Sequence, residues 1–129
     1  MKRIVLIDDD STTNYLNKLI IERAGIVDEV LAFESGQEAL DFFHKNHNGA
    51  ELSLVLLDIN MPVMNAWQFL DQYQAITGDN SNKIVLLSSS INPADKQMAE
   101  KKENVLDFKS KPLSVDMLND LVSSYLQAC

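Results

Sequence analysis

Cysteine is almost absent from this sequence: Cys129, the single one, excludes an internal disulfide and any cysteine-rich metal site. At the final position it reads as a bystander rather than a catalytic group. Basic residues are scarce too. Eleven Lys and Arg stand against nineteen Asp and Glu, and the formal net charge of −8 sets up a field that repels phosphate backbones and anionic lipid surfaces. Neither direct nucleic-acid binding nor membrane association is expected. Long hydrophobic runs are also missing. The basic Met1-Lys2-Arg3 opening meets Asp8-Asp9-Asp10 after only four apolar residues, too soon for the apolar centre of a signal peptide, so a cytoplasmic protein is the expectation. No low-complexity tract or internal repeat interrupts the chain, and 129 residues can bury one sizeable core but not two. Residues 1–129 are therefore expected to form a single domain.

What is present is a repeating alternation. Ile4 to Ile7, Val30 to Phe33, Leu54 to Leu57, Ile84 to Leu87 and Val105 to Phe108 are short, mostly continuous apolar runs, as strands covered on both faces require. Each precedes a helical pattern. The first helix shows Leu16, Leu19, Ile20 and Ala24 and stops at Gly25; the second opens on the capping pair Ser35 and Glu38 and carries Ala39, Leu40 and Phe43. The third runs through Ala66, Phe69, Leu70, Tyr73 and Ile76 to Gly78, and the fifth starts at Ser114 with Met117, Leu118, Leu121, Val122 and Tyr125 at helical spacing. The fourth begins at Asn92-Pro93 and offers only Ala94, Met98 and Ala99 as a stripe. Such alternation predicts an α/β domain with a parallel sheet, right-handed crossovers and helices on both faces.

Sheets of this kind bind ligands beyond the carboxyl ends of their strands. Asp8-Asp9-Asp10 follows the first strand, Asp58 the third, Ser88 the fourth, and Lys111 the fifth, just before Pro112. Converging carboxylates repel one another unless a cation neutralises them, and an all-oxygen set without His or Cys suits Mg²⁺ better than Zn²⁺. A lysine and a hydroxyl opposite supply a charge and a donor for phosphoryl oxygens, with an aspartate between them as a candidate nucleophile. Taken singly, each piece has an ordinary reading. An acidic triplet is often a solvated loop or helix start, Ser88 in Ser88-Ser89-Ser90 a turn hydroxyl, and Lys111 a surface lysine.

Together, Ile4-Val5-Leu6-Ile7-Asp8-Asp9-Asp10, Leu56-Leu57-Asp58-Ile59-Asn60-Met61-Pro62, Val85-Leu86-Leu87-Ser88-Ser89 and Phe108-Lys109-Ser110-Lys111-Pro112 make the chain resemble the receiver domain of two-component response regulators, in its single-domain, chemotaxis-response-regulator form. The resemblance covers essentially the whole chain. It implies a flavodoxin-like doubly wound (βα)5 fold with a sheet ordered 2-1-3-4-5, which makes the four site-bearing strands contiguous. It further implies phosphorelay signalling, with Asp58 as phosphoacceptor and self-catalysed phosphorylation and dephosphorylation rather than an enzyme's turnover. Asp9 and Asp58 would bind Mg²⁺ directly, Asn60 through its backbone carbonyl and Asp8 through water. Lys111 would contact the phosphoryl group, with a cis bond to Pro112, while Ser88 and Phe108 would act as switch residues and Asn60 and Ser90 would tune hydrolysis. The implied partners are a histidine kinase or histidine phosphotransfer protein and a downstream protein target, docked on the face built from the fourth helix, fifth strand and fifth helix. The chain would be a monomer or a phosphorylation-dependent dimer.

The sequence departs from the family's pattern at Ala66, where Gly is common, and at Glu103-Asn104, where a Gly is missing before the last strand. A positive φ at Ala66 would strain the loop after Asp58. His44 and His47 read as solvated helix residues, Trp67 and Phe69 as packing residues, and Glu100-Lys101-Lys102-Glu103 as a solvated helix end. Two other functions compete. Asp8-x-Asp10-x-Thr12 also matches haloacid-dehalogenase-type phosphatases, with Asp8 as nucleophile and Asp10 as acid/base, but that reading leaves Asp58 to Pro62 without a purpose. A phosphorylation-independent interaction module would have no need of Asp8, Asp9, Asp58, Ser88 and Lys111 together.

Overall fold

Each apolar run forms a strand and each strand leads into a helix. A computed structural model of the chain describes residues 2–46, 52–77, 82–89, 92–102 and 105–126. His47, Gly78, Ser90, Glu103, Asn104 and Cys129 lie outside the described residues. The order is β1 (Lys2–Ile7), α1 (Ser11–Ala24), β2 (Glu29–Phe33), α2 (Gly36–Asn46), β3 (Leu52–Asp58), α3 (Ala66–Thr77), β4 (Lys83–Ser88), α4 (Pro93–Glu100), β5 (Val105–Ser110) and α5 (Val115–Tyr125). All four pairings are parallel and the sheet order is β2-β1-β3-β4-β5, as the resemblance implied.

Period-two alternation divides the core into two layers. Val5, Ile7, Val55, Leu57, Ile84 and Leu86 face α2, α3 and Ala99 of α4. Ile4, Leu6, Leu54, Leu56, Val85 and Leu87 face Ile21 of α1 and Leu118, Leu121 and Val122 of α5. At the β5 edge the alternation is interrupted. Ile84 pairs with Val105 and Val85 with Asp107, so Leu106 is an extra residue, a bulge that brings both Val105 and Phe108 to the α2–α3 side.

Helix ends follow local chemistry. Gly25, at φ 65, closes α1 in a left-handed conformation that costs glycine nothing. The Ser35 hydroxyl accepts from the Glu38 N–H (3.1 Å), and the Glu38 carboxylate reaches back to the Glu34 N–H (3.2 Å), closing the expected capping pair. Asn65 and Gln68 cap α3 reciprocally, each side chain accepting the other's N–H at 3.0 Å. Ser114 and Asn92 cap α5 and α4 as read from the sequence.

Two helices depart from expectation. In α1 the buried residues are Asn14, Asn17 and Ile21, while Leu16 is 51% exposed. The helix is rotated so that an asparagine reaches the strand ends, and hydrogen bonding there outranks apolar periodicity. In α4 only Ala99 is buried, and Ala94 and Met98 face solvent. No helix among the described residues is long and apolar enough to cross a membrane.

Candidate functional site

The strand order sets the carboxyl ends of β1, β3, β4 and β5 in one cluster. Asp8 directly follows β1. Its N–H extends the sheet ladder to the Phe33 carbonyl (3.1 Å), its Oδ1 accepts from the Asp10 N–H (2.9 Å), and its Oδ2 accepts from Lys111 Nζ (2.6 Å). Asp58 ends β3, and its Oδ1 lies 3.2 Å from the same Nζ. Asp8 and Asp58 are buried, whereas Asp9 is exposed. One oxygen from each of these three carboxylates falls within 4.8 Å of the other two.

Lys111 is held from behind as well as in front. Its N–H donates to the Ser88 carbonyl at the end of β4 (2.7 Å), its bond to Pro112 is cis, and Leu113 is buried in the α1–α5 layer. Ser88 itself is fully buried at the strand end beside Asp58. Phe108 is half-buried on the α2–α3 side, two residues before Ser110, which pairs with Ser88. Asp8, Asp9, Asp58 and Lys111 therefore come together, with Ser88 at the end of the neighbouring strand and Phe108 on the next strand, paired with Leu86 two residues before Ser88. His44 is exposed on α2 and is not part of the Asp8, Asp9 and Asp58 cluster, and Trp67 packs half-buried against the core.

The electrostatics are those of a site short of positive charge. Burial raises the Asp58 pKa above the ordinary carboxylate value, the Asp8 charge raises it further, and Lys111 offsets only part of this. Burial works against the Lys111 ammonium, but its hydrogen bond to Asp8 and the charges of Asp58 and Asp8 outweigh that and raise its pKa. Three carboxylates against one ammonium leave two negative charges, the complement of a divalent cation. The donor set is all oxygen, so the chemistry fits a hard ion such as Mg²⁺.

Asp10 does something else. It caps α1, accepting from the Thr12 N–H and the Thr13 hydroxyl at 3.0 Å each, and the Thr13 bond leads the effects that lower its pKa. A group turned to its own helix and biased toward ionisation is poorly placed to carry a proton for Asp8, which argues against the phosphatase reading.

The loop after Asp58 contains a strained turn. The Met64 N–H donates to the Pro62 carbonyl (2.7 Å), closing a three-residue turn around Val63, which has φ 68 and points fully into solvent. Among the described residues, Val63 is the non-glycine with positive φ. No positive φ is needed at Ala66, so Ala in place of the common Gly brings no strain: Ala66 is fully buried, opens α3 and donates to the Ile59 carbonyl (3.3 Å).

Sequence reasoning missed Asn14. Its Nδ2 donates to the carbonyls of Asp8 (2.9 Å) and Phe33 (3.1 Å), while its buried Oδ1 has no partner among the described residues, a loss of about 1–3 kcal/mol. Nothing in a linear pattern marks such a residue, since its partners lie in two strands. The buried Arg3 was also missed. Its Nε donates to Ser53 Oγ (2.8 Å) and its guanidinium stacks over the Phe42 ring at 5.1 Å; a β1–β3 pair at the far end of the strands has no sequence signature.

A family model described as the response regulator receiver domain matches residues 4–123. The chain belongs to that family. A solved two-component response regulator from Cytophaga hutchinsonii is 33% identical, superposes with a TM-score of 0.89, and each chain covers nearly all of the other, 98% and 97%. Two-component response regulator 24 of Arabidopsis thaliana is 28% identical over 91% of this chain and 79% of its own. Hybrid signal transduction histidine kinase I of Dictyostelium discoideum is 25% identical over 95% of this chain, which spans only 7% of that relative's length. The chain thus spans most of the length of two of these relatives and a small part of the third.

Proposed function

We propose that this receiver domain accepts a phosphoryl group on Asp58 from a phosphohistidine donor, a histidine kinase or histidine phosphotransfer protein, in the cytoplasm. The observation that carries the reading is the sharing of Lys111 between Asp8 and Asp58 in a buried, charge-deficient pocket. An Asp58 carboxylate oxygen attacks phosphorus, the bond to the donor nitrogen breaks, and the imidazole leaves with the electron pair. Lys111 turns from Asp8 to the transferred oxygens, and the Ser88 hydroxyl donates to another. Asp9, Asp58 and the Asn60 carbonyl would hold Mg²⁺ directly and Asp8 through water; when bound, the ion supplies the positive charge that the pocket lacks. Water later hydrolyses the acyl phosphate without a separate enzyme.

Output passes through the α4–β5–α5 face. Met98, Leu106 and Val115 are large apolar residues exposed there, and a groove of about 280 Å³ between α4 and β5 is bordered by Lys96, Ala99, Glu100 and Phe108. A downstream protein, or a second copy after phosphorylation, fits that surface; the charge of −8 disfavours nucleic acid. The test is incubation with acetyl phosphate and Mg²⁺ followed by mass spectrometry. Modification of Asp58, abolished by EDTA and by Asp58→Asn, is expected. Stoichiometric label on Asp58→Asn overturns the assignment, and label on Asp8 restores the phosphatase.

A further inference from the structure

Asn14 occupies a position in α1 where an amphipathic helix ordinarily buries an apolar side chain, and it is only 5% exposed. Both carbonyls that its Nδ2 reaches, those of Asp8 and Phe33, belong to strand ends. Every polar group of Asp8 is thereby held: the N–H by Phe33, the carbonyl by Asn14, Oδ1 by the Asp10 N–H and Oδ2 by Lys111. Of these four, only Asn14 comes from the body of a helix, so it anchors the acidic end of β1 to a rigid element. Its Oδ1 is unpaired among the described residues, so what the side chain contributes is its donors.

We propose that Asn14 is a positioning residue for the cation: by fixing the Asp8 carbonyl it sets the direction in which Asp8 presents its carboxylate toward Asp9 and Asp58. This rests on the Mg²⁺ reading above. Without the bond the Asp8 peptide can rotate, and the carboxylate turns with it.

Asn14→Leu keeps the branched shape and the number of heavy atoms and removes both the donors and the unpaired oxygen; its bulkier methyl groups are matched in the control at Asn17, which separates positioning from packing. Its Mg²⁺ dissociation constant, read by amide chemical shifts and Trp67 fluorescence, should rise about tenfold or more. The Asp8 and Asp10 amide signals should shift in the metal-free protein, with the thermal midpoint little changed. Asn14→His, which restores an N–H at a similar reach, should recover part of the affinity. The control is Asn17→Leu, one turn along the same face, 8% exposed and without a hydrogen bond to either strand end among the described residues; its Mg²⁺ affinity should stay at the original value. If Asn14→Leu does not fold, Asn14→Ala is read in the same way. Unchanged affinity in the Asn14 variant, or equal losses at Asn14 and Asn17, overturns the positioning role while leaving the phosphoacceptor reading intact. Absence of Mg²⁺ binding by the unaltered protein overturns the Mg²⁺ reading and this inference together.

Discussion

Asp58 is ionised at a disadvantage, since it is buried beside the Asp8 charge. Because burial and Asp8 raise its pKa in the folded state, its stabilising contribution is present below the ordinary carboxylate value of 3.8 and is lost as pH rises through the folded-state value. Near neutrality the charged side chain therefore opposes folding. Asp58→Asn keeps the shape and removes the charge, so in EDTA it should raise the thermal midpoint by a few degrees, about 1 kcal/mol, and excess Mg²⁺ should close the gap. Calorimetry in both buffers checks this; a less stable variant in EDTA would contradict the electrostatic account. Val63 is strained for a different reason, a β-branched side chain at φ 68. Val63→Gly should stabilise the domain by about 1 kcal/mol in urea denaturation and leave acetyl phosphate labelling of Asp58 intact.

Among the helices, α4 is the one held most loosely, with Ala99 its single buried residue. That is the physical basis for expecting it to move when a phosphoryl oxygen draws on the Ser88 hydroxyl, with Phe108 following into the space behind. Ser88→Ala should still be labelled at Asp58 but should lose the coupling. NMR of the phosphorylated parent should show shifts across α4, β5 and the start of α5 that the variant lacks; shifts confined to the loops around Asp9 and Asp58 in the parent would refute the route. Elements of this kind were largely legible in advance. Continuous apolar runs identify strands covered on both faces, and Gly25, Ser35, Asn92 and Ser114 mark helix ends because capping is local. The strand ends then nominated Asp8, Asp9, Asp58, Ser88 and Lys111. What escaped depended on contacts across the fold. Apolar periodicity places Leu16 in the core although α1 turns Asn14 to two strand ends, and the positive φ at Val63 belongs to a tight turn that no residue type in the loop announces.

For the whole molecule, two strands, β2 and β5, border the sheet, and an unprotected border is a template on which a second copy can add a strand. The extra residue at Leu106 breaks that template on the β5 side, where Tyr125 Oη also lies 3.4 Å from the Leu106 carbonyl. Removing Leu106 would let Val105, Asp107 and Phe108 face Ile84, Val85 and Leu86 in unbroken succession, with Phe108 and Lys111 keeping their present sides. The shortened protein should accordingly retain labelling at Asp58 yet self-associate, growing in light scattering with concentration and time, whereas Leu106→Ala, which keeps the residue count, should stay dispersed. Equal dispersion of the two would deny the bulge this role. A single supernumerary residue then acts as a guard at the bare border of the sheet, denying a second copy the straight ladder on which it would settle.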